Sequence, residues 1–146
     1  MKKVLFIVLL LFFSSNNLIA QQKIITHLDY QEMKSFLDNN NYEYTHSIDD
    51  LFHIKYEEVR FNFSVVENGR VIILRRFFNN PDFLLKNIND FNSENKWAKV
   101  YINNRGNLTV SQDFILTGGI TEKTLLNIIN NYAETLMKFQ KEFPEL

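Results

Sequence analysis

Val59, Phe61, Phe63 and Val65 alternate with Arg60, Asn62 and Ser64; Asn68-Gly69 follows, and an apolar run returns from Val71 to Phe78. A repeat of two is that of a strand with one face in a core and one outside it. Asn-Gly supplies the consecutive φ > 0 residues of a type I′ turn, whose twist matches its flanking strands. A hairpin follows, and with it a register. With Glu67 opposite Arg70, Val65 faces Ile72, Phe63 faces Leu74, Phe61 faces Arg76 and Val59 faces Phe78. These pairs form the core side, where Arg76 is expected to snorkel or to meet an acid. Arg60 with Phe77, Asn62 with Arg75 and Ser64 with Ile73 form the other side.

A second hairpin is read around Asn104-Arg105-Gly106, from Trp97–Asn103 and Asn107–Leu116. Gly106 fits the left-handed position of a three-residue loop with a bulge. Ile102 with Leu108 and Val100 with Val110 then face the core. Tyr101 with Thr109, Lys99 with Ser111 and Trp97 with Asp113 face outward. Two further strands are expected at Tyr42–Ser47 and Leu51–Tyr56. Three helices complete the pattern. Gln31–Asn39 carries Met33, Phe36 and Leu37 on one side. Asn80-Pro81-Asp82 opens a helix with Leu84, Ile88 and Phe91 as its stripe. Thr121 caps a long last helix with Leu125, Ile128, Ile129, Tyr132, Leu136, Phe139 and Phe143 at helical spacing, ended by Pro144. The expected architecture is α+β: a curved antiparallel sheet of five to six strands, in the order α-β-β-β(-β)-α-β-β-α, with helices packed mainly on one face.

At 146 residues, 45% of them hydrophobic, the chain suits one domain plus a targeting segment. Lys2-Lys3, the unbroken apolar run Val4–Phe13 and a small residue at Ala20 are the parts of a secretory signal peptide. The run is too short to span a bilayer core of ~30 Å; an uncleaved anchor or a buried first helix is the alternative. The divisions are thus residues 1–20 as signal peptide, 21–30 as a short N-terminal segment and 31–146 as a single domain. Cleavage leaves 14 cations against 17 acids, a net charge of −3. The expected location is exported, periplasmic or secreted, with no stable membrane anchor after cleavage. The absence of Cys excludes a disulfide, a thiol nucleophile, a thiolate zinc site and a lipidated N-terminal Cys. The whole chain has a net charge of −1, which argues against nucleic acid as a partner.

Little in the sequence points to chemistry. His27, His46 and His53 lack metal-ligand spacing. Gly118-Gly119 precedes a helix start but lacks the Lys-Ser/Thr pair of a phosphate loop, and a plain turn explains it better. Asp49-Asp50 and Glu57-Glu58 sit at strand ends, where solvated turns account for them. No catalytic residue, metal site or cofactor is expected, and the chain is read as no enzyme. The outward side of the two hairpins is the candidate partner-binding face, with Arg60, Ile73, Arg75, Phe77, Trp97 and Tyr101. Aromatics beside Arg are enriched at interface centres. A third layer, such as the first helix, is the competing occupant of that face.

Asn87-Ile88-Asn89-Asp90-Phe91-Asn92, the run Trp97–Leu108 containing Lys99-Val100-Tyr101, and Gly118-Gly119-Ile120-Thr121 ahead of the last helix together resemble the YbjN family of bacterial sensory transduction regulators. The resemblance covers residues 31–142 and is strongest over 83–136. It implies a fold similar to type III secretion chaperones, often dimeric and polypeptide-binding, and a non-enzymatic regulatory or chaperone-like role. The implied partner is another protein or a second copy. The export signal is a departure, because members of that family are expected mostly in the cytoplasm. The alternative function is a periplasmic carrier of a small apolar ligand, held by the curved sheet and its aromatics.

Overall fold

The structure, a computed structural model, describes residues 23–47, 51–79, 85–144 and 146. The expected signal peptide, the Asn80-Pro81-Asp82 helix start and Leu84 lie outside the described residues. In chain order the elements are β1 (Ile24–Ile25), α1 (Tyr30–Asn39), β2 (Glu43–Ser47), β3 (Leu51–Tyr56), β4 (Val59–Val66), β5 (Val71–Phe78), α2 (Leu85–Glu94), β6 (Lys99–Ile102), β7 (Leu108–Ile115), β8 (Ile120–Thr121) and α3 (Glu122–Glu142). Six strands form one antiparallel sheet in the order β2-β3-β4-β5-β7-β6, and β1 pairs with β8 as a separate two-stranded ribbon. That ribbon has no strong sequence signal, being two residues long on each side.

Both hairpins adopt the expected registers near their turns. Val65 pairs with Ile72 and Phe63 with Leu74, while Ile102 pairs with Leu108 and Val100 with Val110. The first ladder ends sooner than expected. Its last pair is Asn62 with Arg75, so Arg60 is not matched to Phe77, nor Phe61 to Arg76, nor Val59 to Phe78. Paired strands rotate against one another by roughly 20–25°, which separates the far ends of a long ribbon. The second ladder stops at Lys99 with Ser111, one pair short of Gln112 and two short of the expected Trp97–Asp113 match.

All three described helices pack on one side. Tyr30 of α1 stacks on Phe52, Tyr132 of α3 meets Phe61 edge-on, and Phe139 sits between Phe78 and Phe91 of α2. The pairs Phe52–Phe63, Ile54–Phe61 and Phe63–Leu74 place these sheet residues on a common face. Phe63, Val100 and Tyr132 share this core, each 1% exposed or less. α1 therefore covers the core side and does not form a third layer outside. Arg76, on the core side, meets no acid among the described residues: its guanidinium lies 5.4 Å from the Phe78 ring centre, a cation–π contact at the margin of the core. Ile102 points as expected but is 39% exposed, because it lies on the last strand of the sheet.

That last strand is closed by a side chain. Asn92 accepts from Val100 N–H through Oδ1 and donates from Nδ2 to Val100 O, both at 2.8 Å. One amide thus imitates a neighbouring strand on an edge that would otherwise offer free backbone groups. Asn92→Ala is expected to cost about 1–3 kcal/mol, since it orphans both groups at a position where Val100 is buried. It should also promote edge-to-edge association. Denaturant unfolding and size-exclusion chromatography check this, and an unchanged midpoint with unchanged elution would contradict it.

Two phenols, Tyr132 buried and Tyr42 half-buried, predict the alkaline limit of the fold. Tyr42 donates to Asn130 Oδ1 at 2.9 Å; burial, and secondarily Tyr56, push its pKa up to about 12. Burial raises Tyr132 well above its ordinary value, against a smaller opposing pull from the Arg76 backbone. In the unfolded chain both ionise near 10.0. The folded state thus holds protons that the unfolded state releases, so this stability is full below pH 10 and lost as pH rises toward 12. Melting temperature recorded across that range should be level at first and then fall steeply. A flat profile to pH 12 would be inconsistent with the fold shielding these phenols.

Candidate functional site

Residues 45, 53, 62, 75, 111 and 99 form one row across all six strands on the side away from the helices. The row is polar and internally bonded: His53 Nδ1 lies 2.8 Å from Asn62 Oδ1, and Arg75 Nε donates to Ser111 Oγ at 3.2 Å. Ser111 Oγ in turn donates to Asp113 Oδ1 at 3.1 Å, and Arg75 Nη2 lies 3.9 Å from that same oxygen. A second row, Phe77–Thr109–Tyr101, is aromatic at both ends. Thr109 and Ser111 are buried although no described helix lies over them. Larger side chains on the neighbouring strands, Phe77 and Tyr101 about Thr109, and Arg75 and Lys99 about Ser111, account for that shielding.

The sequence-predicted face is gathered only in part. Arg75, Phe77 and Tyr101 line one shallow hollow of about 640 Å³, with Ile102, Asn103 and Arg105. Trp97 and Tyr101 line a neighbouring hollow of about 520 Å³, with Lys96, Lys99 and Asp113. Tyr101 is common to both. Ile73 pairs with Ser64 and Asp113, half-buried beside them. Arg60 stands apart, opposite Lys55 on β3. Phe77, Trp97 and Tyr101 are 41%, 60% and 38% exposed, an unusual set for the middle and margin of one sheet face. Lys96 and Arg105 also line these hollows, and the sequence pattern does not single them out. Arg105 belongs to a turn whose signal is its backbone and not its charge. Lys96 precedes β6, beyond the reach of strand alternation.

Among the described residues no group of three or more His, Cys, Asp or Glu converges to hold a metal ion. The shifted surface groups lie elsewhere: Asp38 is held below the usual carboxylate range by the Lys34 ammonium and then by the Tyr44 hydroxyl. That cluster ties α1 to β2, away from the hollows. His27 and His53 are exposed, and His46 packs on Tyr30 and Phe52.

Residues 29–145 match a family model described as "Putative bacterial sensory transduction regulator", YbjN. The chain belongs to the YbjN family. The fold agrees: a solved structure described as "Crystal structure of YbjN, a putative transcription regulator from E. coli" superposes with a TM-score of 0.65. Identity is 10%, over 78% of this chain and 89% of that one, so the likeness is one of fold. No curated protein matches the sequence. Within this YbjN chain, the Asn87–Asn92 segment that carried the resemblance contributes Asn92, the side chain that closes the sheet edge. The motif is structural in this chain.

Proposed function

We propose that this YbjN chain is an exported, non-enzymatic regulator that works by binding another protein on the sheet face opposite its helices. The observation that carries the reading is the one-sided packing: every described helix lies on the core side, while Phe77, Trp97 and Tyr101 stand exposed beside Arg75 and Lys99. The basic start, apolar run and Ala20 of the first twenty residues support export. Binding of protein is favoured over carriage of a small apolar ligand because Phe52, Phe61, Phe63 and Phe139 fill the interior, whereas the hollows are open and shallow. A second copy of the chain is one form the partner can take.

The test is a photo-crosslinking residue placed in cells at Phe77 or Tyr101, with exposed Lys123 on α3 as the control. The expected result is one discrete adduct from the sheet positions and none of that mass from Lys123. An adduct of twice the chain mass identifies a second copy. The same scatter of abundant neighbours from all three positions would overturn the reading.

A further inference from the structure

Charge divides unevenly over the molecule. The two hollows meeting at Tyr101 bring together Lys96, Lys99, Arg75 and Arg105 against Asp113 alone. The whole chain has a net charge of −1, with 17 acids in all. Among the described residues Lys96, Lys99 and Arg105 have no side-chain partner, and Arg75 is engaged by Ser111 and Asp113. Three of four cations are therefore left to solvent beside exposed aromatic rings. Solvated cations beside rings cost little as a free surface, and gain most when an acid and an apolar side chain arrive together.

We infer that this face takes an extended acidic segment of a partner polypeptide, with carboxylates on the four cations and apolar side chains against Phe77, Trp97 and Tyr101. The inference rests on the protein-binding reading above and adds the chemistry of the partner. One observation favours a polypeptide over a polyanion: the acids that outnumber the cations on the rest of the chain repel a long phosphate backbone, and Asp113 sits within the patch itself. β7 is 8 residues long, so the face accommodates roughly 27 Å of extended chain, or about eight residues.

Trp97 is the chain's only Trp, which makes its emission a reporter of this site alone. The probe is a synthetic peptide of about ten residues alternating Glu and Leu, titrated into the purified protein at low salt. Trp97 emission should move to shorter wavelength, and the affinity should fall about tenfold or more between about 0.05 M and 0.5 M salt. Lys99→Glu combined with Arg105→Glu should weaken binding by about tenfold or more while leaving the melting temperature unchanged, since both side chains are exposed and unpaired. Equal binding of peptides with Lys or Ser in place of Glu would overturn the acidic preference, as would a stronger response to duplex DNA or to anionic vesicles. If no peptide moves the emission although Phe77 and Tyr101 still crosslink one partner in cells, the acidic assignment fails and the docking face stands. If crosslinking fails as well, both fall.

Discussion

Tyr132→Ala is expected to destabilise the protein by about 3–5 kcal/mol, the range for truncating a fully buried aromatic. Tyr132 is 0% exposed, sets its ring edge-on to Phe61 at 5.2 Å, and donates from its hydroxyl to Val110 O at 2.8 Å. It is the point where α3 is joined to β4 by packing and to β7 by a hydrogen bond. Truncation leaves a cavity beside Phe61 and the Val110 carbonyl without its side-chain donor. Tyr132→Phe removes only the hydroxyl, and should cost about 1 kcal/mol. Both are read from denaturant midpoints at a common slope. A loss for Tyr132→Ala no greater than that for Tyr132→Phe would mean that the ring does not hold α3 to the sheet. Because domains of this kind are stable by about 5–15 kcal/mol, the larger change removes a substantial part of the total.

The second large effect comes from two glycines of like conformation in unlike surroundings. Gly69 and Gly106 have φ of 85° and 79°. A methyl group at residue 69 would lie 2.7 Å from Leu28 O, whereas one at residue 106 would meet nothing within 4 Å. Leu28 also donates to Gly69 O at 2.8 Å, so the residue cannot shift without breaking the bond that holds the N-terminal segment to the β4–β5 turn. Gly106→Ala should therefore cost about 1–2 kcal/mol, for conformation alone. Gly69→Ala should cost about 2–4 kcal/mol, adding the clash and the lost bond. Thermal or denaturant unfolding of the pair decides it, and equal losses would contradict the seating of Leu28 on this turn.

The parts of the fold that could be read from the chain are those specified locally. The Val59–Val65 alternation and Asn68-Gly69 set a register by themselves, and β3, β5 and the start of α3 after its Thr121 cap lie where the sequence places them. What could not be read depends on residues far apart in the chain. The early end of the β4–β5 ladder comes from strand twist, β1 and β8 pair across 95 or more positions, and Arg76 stays at the margin because Phe78 takes its charge. Asn92 was visible as part of a motif, but its grip on Val100 emerges only when α2 lies along β6. The candidate face was legible in its alternation, at Arg75, Phe77 and Tyr101. It was not legible at Arg60, which lies on the neighbouring strand beyond the β4–β5 ladder and lines neither hollow, or at Lys96 and Arg105, which no periodicity governs.

Hydroxyl-radical footprinting, run on the purified protein and in intact cells, tests most directly whether the face opposite the helices is a docking surface. The account predicts that Phe77, Trp97 and Tyr101 oxidise readily in the purified protein and become protected in cells, while Phe61, Phe63 and Phe139 are protected in both. Equal oxidation of the three exposed aromatics in both settings, or their protection in purified protein that elutes as a single copy, would contradict it.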